Sequence, residues 1–355
     1  MSLLDPEDTL AFNFDSEIKS FLESHYLFEE GYSIDTSRDI PIVNSYGDVR
    51  IYKNIKIEYL TNGMFKFGVI GGTFDCSCIP SLKSLKGAPT RVVKDFTCNA
   101  CTGLESLEGS PEYVGGGFIC NRCTSLKSLE YGPRSAANYF CEGCDSLKDL
   151  RGTPRVIDGD FDCGCCSNLE SLEGCPSHCD VFSCDACPKI TTTSPLAILS
   201  CNHITLNGCR NLKNVYGLQG VHEVRITGCP KLESLIGLPR ILKSLHVEGT
   251  SIKNLEGAPE LIQDTFICSN NKMLKSLKGG PKWIGNIFYL NLCPSLTSYK
   301  GGPEAICVEL SITKCDGLTE LDERPRYVGR IIKIDHDIIK MDYIDNYKEE
   351  DGWVV

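Results

Sequence analysis

Residues 96–114 read FTCNACTGLESLEGSPEYV, and residues 118–136 repeat the phrase as FICNRCTSLKSLEYGPRSA. Aligned on the leading aromatic or aliphatic residue, the repeat runs Phe74, Phe96, Phe118, Tyr139, Phe161, Phe182, Ile204, Val224, Leu245, Phe266, Phe288 and Leu310, in steps of 20 to 22 residues. A fixed period in this range marks a stacked repeat architecture. Inside each unit the F-x-C alternation has the period of a short strand, with both residues on one face. The Gly-x-Pro that follows, as at Gly87 to Pro89, Gly109 to Pro111, Gly152 to Pro154 and Gly257 to Pro259, is turn chemistry that stops a helix. One unit is therefore a strand, a corner, a short apolar segment and a turn. Such a coil cannot bury its own apolar side, so neighbours must stack on it and the chain becomes a solenoid.

The repeat also decides what the cysteines are for. Cys98-x-x-Cys101 and Cys120-x-x-Cys123 are separated by eighteen residues, a spacing that suits a zinc site. Zinc needs a ligating side chain, above all sulfur or imidazole, at each position, yet the first cysteine slot runs Cys76, Cys98, Cys120, Cys141, Cys163, Cys184, Leu206, Ile226, Val247, Cys268, Leu290 and Ile312. Aliphatic residues take the same place. The second slot runs Ile79, Cys101, Cys123, Cys144, Cys166, Cys187, Cys209, Cys229, Thr250, Asn271, Cys293 and Cys315, residues that are mostly small with a polar tip able to bond a loop amide of the next coil. Sixteen of the 22 cysteines fall in these two slots, so the ladder reads as a small-residue core. No metal and no cofactor is expected. The six off-slot cysteines, Cys78, Cys165, Cys175, Cys179, Cys201 and Cys307, are expected to be the accessible ones.

With 36 Lys plus Arg against 47 Asp plus Glu, the net charge of −11 repels nucleic-acid phosphates and anionic lipid heads. No nucleic acid and no membrane partner is expected. The opening MSLLDPEDTLAFNF has neither the basic nor the apolar region of a secretory signal, so a cytoplasmic location is expected, where cysteines stay thiols.

The unit resembles the leucine-rich repeat, with Phe96 and Cys98 in the strand positions, Cys101 in the Asn/Cys position, and Leu104 and Leu107 following. The variant F-x-C-x-x-[NC]-x-L-x-S-L-E-G-A-P is similar to short-repeat proteins of large tailed bacteriophages. Those proteins often open with a short helix, a G-D-V strand and F-K-F-G-x-V, matched here by Gly47-Asp48-Val49 and Phe65-Lys66-Phe67-Gly68-Val69. The resemblance implies a leucine-rich-repeat solenoid of about twelve coils, with a parallel β-sheet on one face and irregular, short-turn segments on the other. It also implies a phage-encoded binding scaffold.

Three regions follow: residues 1–45 as an N-terminal helical cap, 46–330 as the solenoid, and 331–355 as a C-terminal cap strand with an acidic tail. In the first, DSEIKSFLESHYLF at 15–28 places Ile18, Phe21, Leu22 and Leu27 near one helical side behind Asp15 as N-cap. On the strands, residues flanking the first slot must point outward, and most are small and polar. Ile119 and Phe140 on adjacent coils, Ile267 and Tyr289 on adjacent coils, and Arg225 and His246 between the pairs depart from that rule, and together form the candidate protein-binding face.

The expected function is a non-enzymatic protein-protein interaction scaffold that binds and modulates a host bacterial protein, with inhibition as the expected effect and an antiviral defence component as one such target. Two alternatives remain open: a virion-associated adhesin or structural protein, and an enzyme using a thiol or carboxylate in the concave face. Against the enzyme, the chain has no Gly-rich phosphate loop, H-E-x-x-H or G-x-S-x-G.

Overall fold

The F-x-C alternation resolves into strands that stack in register. The computed structural model describes residues 6–52, 55–318, 325–329 and 331–334. It is a β-solenoid of about 13 turns with parallel sheet and little helix. By its internal packing the chain forms two compact units, Met1–Asp180 and Val181–Val355.

In the first unit, the helix Pro6–His25 leads into two antiparallel pairings, Tyr26–Phe28 with Val49–Ile51 and Tyr32–Asp35 with Ile42–Ser45. From there the pairing is parallel, and Val49, Phe74, Phe96, Phe118, Tyr139 and Phe161 stand directly above one another. Val49 adds a turn that lacks both the Phe and the Cys of the repeat, which is why the sequence period begins one coil late. The helix starts nine residues before the expected N-cap. Asp15 is thus inside it, 3.1 Å from Lys19 one turn on. Leu27 lies in the following strand with 44% of its surface exposed. Ile18 and Leu22 are fully buried, and the Phe21 ring sits 5.9 Å from Phe65.

The second unit carries a parallel sheet of eight described strands: Val181–Ser183, Ser200–Thr205, Gly220–Thr227, Ser244–Glu248, Phe266–Ser269, Ile287–Asn291, Glu309–Thr313 and Ile331–Ile334. Ile331–Ile334, read from sequence as a strand, pairs parallel with Glu309–Thr313, and the acidic tail lies outside the described residues. The residues after Gly-x-Pro do more than turn. Ile241–Leu242, Leu261–Ile262, Trp283–Ile284, Ala305–Ile306 and Tyr327–Val328 form a second, shorter parallel sheet.

Three ladders hold the coils together. The first is aromatic: Phe74, Phe96 and Phe118 stack with nearly parallel rings at 5.6 and 5.5 Å, and Phe266 and Phe288 stack at 5.1 Å. The second is the thiol ladder. Cys101, Cys123 and Cys144 each donate to the carbonyl of the first-slot cysteine one coil earlier (Cys76, Cys98 and Cys120) at 3.2 Å, and Cys209 does the same to Cys184 at 3.0 Å. Asn271 replaces cysteine in that slot by donating its amide to the Val247 carbonyl at 3.0 Å. At these cysteines and at Asn271 the slot therefore aims a small donor at a carbonyl, rather than making the bond to a loop amide expected from sequence, although Asn271 also accepts from the Thr250 amide. The third is polar and outward: Asn121 N–H donates to Asn99 Oδ1, and Glu142 N–H to Asn121 Oδ1.

The corner before the second slot is left-handed in every repeat. Gly143, Gly208, Gly228 and Gly249 take it without cost, whereas Cys78, Ala100, Arg122, Cys165, Ala186, Asn270, Leu292 and Lys314 hold φ between 52° and 62°.

Candidate binding face

In the second unit the parallel register places Thr205, Arg225, His246, Ile267, Tyr289 and Ser311 in one row across successive strands. Four of the six candidate residues, Arg225, His246, Ile267 and Tyr289, are thereby consecutive. Strand spacing puts their backbones about 4.8 Å apart. Arg225 is exposed, and His246, Ile267 and Tyr289 are half-buried. The other two, Ile119 and Phe140, are register neighbours in the first unit between Thr97 and Asp162. Ile119 lies along its own strand: its Cγ1 is 3.3 Å from where Gly117 would carry a Cβ.

A second outward row, two residues earlier on the same strands, was not singled out from sequence. It contains His203, Glu223 and Ser244. Glu223 is held between the His203 imidazole and Lys243 Nζ, the latter at 2.6 Å, with only 16% of its side chain exposed. The carboxylate hydrogen bond holds the Lys243 ammonium above its ordinary pKa. The two rows enclose a shallow groove of about 310 Å³ lined by His203, Glu223, Arg225, Ser244, His246 and Ile267, among others. Strand length was the missed signal. GVHEVRIT forms one eight-residue strand, Gly220–Thr227, so the outward face is wider than the two positions flanking the cysteine slot.

The groove is electrostatically mixed. His246 Nε2 is 3.2 Å from Glu248, but burial lowers its pKa below the ordinary histidine value; the Glu248 hydrogen bond opposes this and the Arg225 charge adds to it. A surface that offers a guanidinium, an imidazole, a fixed carboxylate and an apolar Ile267–Tyr289 end suits a polypeptide better than a uniform polyanion.

The cysteines lie elsewhere. All 22 stand as thiols, and nineteen are buried. Of the six off-slot cysteines, only Cys78 and Cys165 are exposed and Cys307 is intermediate, so the expectation of access fails for Cys175, Cys179 and Cys201. Cys78 and Cys165 are exposed because they occupy the left-handed corner, at φ 62° and 57°. Cys201 alternates inward on its strand. Burial drives the Cys76 thiol well above its ordinary pKa and pushes Cys101 up to about 12, so neither offers a thiolate near neutral pH. Among the described residues, no group of three or more His, Cys, Asp or Glu is placed to hold a metal ion. No described helix is long and apolar enough to cross a membrane.

No protein-family model matches the chain, and no curated protein sequence matches it significantly.

Proposed function

We propose that the protein is a non-enzymatic scaffold of the leucine-rich-repeat type that binds a protein partner on the outward strand face of its second unit. The observation that carries this reading is the unbroken row Arg225, His246, Ile267 and Tyr289, whose first three residues line the groove. Stacked strands present these side chains on a backbone fixed by its ladder hydrogen bonds, so little entropy is lost on binding. Arginine and tyrosine are also the side chains that most often dominate interface energies. The burial of nineteen of the 22 thiols supports a structural role for the cysteines and leaves the outward face to act.

The resemblance to short-repeat phage proteins supports the finer reading: a phage-encoded chain acting in the host cytoplasm on a host protein, which it inhibits, with an antiviral defence component as the target class. On the same reading the helix Pro6–His25 caps the first coil, its Ile18 and Leu22 covering apolar surface that would otherwise meet water.

Affinity capture from host lysate tests the proposal. The tagged chain should retain one stoichiometric protein, and the double variant Ile267→Ser/Tyr289→Ser should lose it with a nearly unchanged melting temperature. The matching first-unit variant, Ile119→Ser/Phe140→Ser, should capture as the parent does. Retention by the Ile267/Tyr289 variant would move the binding surface off this face, and loss with the Ile119/Phe140 variant would place it on the first unit.

A further inference from the structure

The shorter sheet of the second unit has its own pattern, independent of the groove. After each turn the chain reads Arg240-Ile241-Leu242, Glu260-Leu261-Ile262, Lys282-Trp283-Ile284, Glu304-Ala305-Ile306 and Arg326-Tyr327-Val328. In the first four triplets the last residue is fully or almost fully buried and the first is exposed. The middle residues are in direct register from coil to coil. Ile241 is 53% exposed, and Leu261, Trp283, Ala305 and Tyr327 are half-buried. Two rows therefore run side by side along the sheet: charges that alternate plus, minus, plus, minus, plus, and an apolar stripe. Arg240, Glu260, Lys282, Ile241, Leu261 and Trp283 line a shallow depression of about 300 Å³ between them. The corresponding positions of the first unit, Arg91, Tyr113 and Ser135, form no such stripe, since the Arg91 guanidinium lies 4.2 Å over the Tyr113 ring.

A partly exposed apolar row beside an ordered charge row marks an interaction surface. Within the chain Arg240 pairs with Glu260 at 2.8 Å and Arg326 with Glu304 at 3.7 Å, exposed contacts worth little that a facing charge can share, and the charge order indicates the occupant. We infer that this face binds a second copy of the same chain, about a two-fold axis parallel to the strands and lying between the Glu260 and Lys282 coils. That operation sets Glu260 against Lys282 of the second copy, and Arg240 against its Glu304, each pair occurring twice. The apolar row meets itself, large against large beside the axis and large against small further out. Ile241 faces Ala305, Leu261 faces Trp283, and Tyr327 falls on Gly220, which holds the same position one coil before Ile241. Arg326 then meets the neutral Gln219. An axis through the Lys282 coil instead would oppose Lys282 to Lys282, Arg240 to Arg326 and Glu260 to Glu304, like charges throughout. Two-fold self-complementarity of one patch is the commonest way a soluble chain pairs with itself.

The test is the mass of the full chain in solution, by sedimentation equilibrium. The wild type should show twice its 39.1 kDa, with concentration dependence. Glu260→Lys alone places two lysines opposite each other at both contacts, and Lys282→Glu alone places two glutamates there. Each should dissociate at least about tenfold more readily. An equal mixture of the two variants should regain the dimer, because every contact across the axis again joins Lys to Glu. Rescue in trans cannot come from a change in folding, since each variant would carry its own defect into the mixture. A wild type that stays monomeric up to millimolar concentration would overturn the inference. So would single variants that dimerise like the wild type, or a mixture that remains monomeric.

Discussion

Tyr139 stands where the neighbouring coils have Phe118 and Phe161, and its ring continues their stack at 5.1 and 5.9 Å. Its hydroxyl is buried with no hydrogen-bond partner among the described residues. Removing that oxygen keeps the stack and deletes the desolvation cost, so Tyr139→Phe should stabilise the protein by about 1 kcal/mol, read as a higher urea midpoint. Two glycines separate conformational from steric demand. Gly143, at φ 68°, has nothing closer than 3.4 Å to an added Cβ, whereas at Gly257, φ 88°, the Cβ would meet the Ile236 nitrogen at 2.2 Å. Gly143→Ala should cost about 1 to 2 kcal/mol from the left-handed backbone alone. Gly257→Ala should cost about 3 kcal/mol or more, because the preceding coil must move away. Equal losses in chemical denaturation would show that the approach of the coils is not fixed at that turn. The repeat spacing made the aromatic row and the two cysteine slots legible. What it could not show was the acceptor: Asn271 and Cys123 look unrelated as letters, and only the carbonyl one coil back unites them.

For single elements, the strand Ser244–Glu248 carries His246, whose pKa burial lowers. Its folded pKa lies below the unfolded value, so folding favours the neutral ring. The contribution to stability is whole above about pH 6.5 and declines as pH falls from there toward the folded pKa, because the unfolded chain then binds the proton more readily. His246→Gln should flatten the stability profile below about pH 6.5 relative to the parent, measured by denaturant midpoint at each pH; an unchanged slope would remove His246 from the balance. Leu126 is fully buried in a middle coil of the first unit. Leu126→Ala should cost about 2 to 5 kcal/mol in the same measurement. Elements without the repeat signature were the hard ones to read. Tyr32–Asp35 and Ile42–Ser45 pair antiparallel where a helical cap was expected, since neither carries F-x-C. The shorter sheet was hidden because Pro followed by one charged residue reads as a turn, while its period-two face emerges only when five coils are aligned.

Over the whole chain, sequence sufficed for the period, the inward rows and the solvated faces, because each follows from repetition. The groove and the apolar stripe were less legible. Both depend on residues that differ from coil to coil, such as Glu223 between His203 and Lys243, or Trp283 among Leu261 and Ala305. Repetition identifies what builds the core, and departure from it marks the surfaces available for recognition. This division rests on the cysteines being core residues, and counting thiols tests it most directly. The native, purified protein should give two fast-reacting thiols, Cys78 and Cys165, with Cys307 slower and the other nineteen reacting only on denaturation to a total of 22, with no stoichiometric zinc by elemental analysis. Rapid native labelling at Cys98, Cys101, Cys120 or Cys123, or zinc released together with unfolding on chelation, would contradict it.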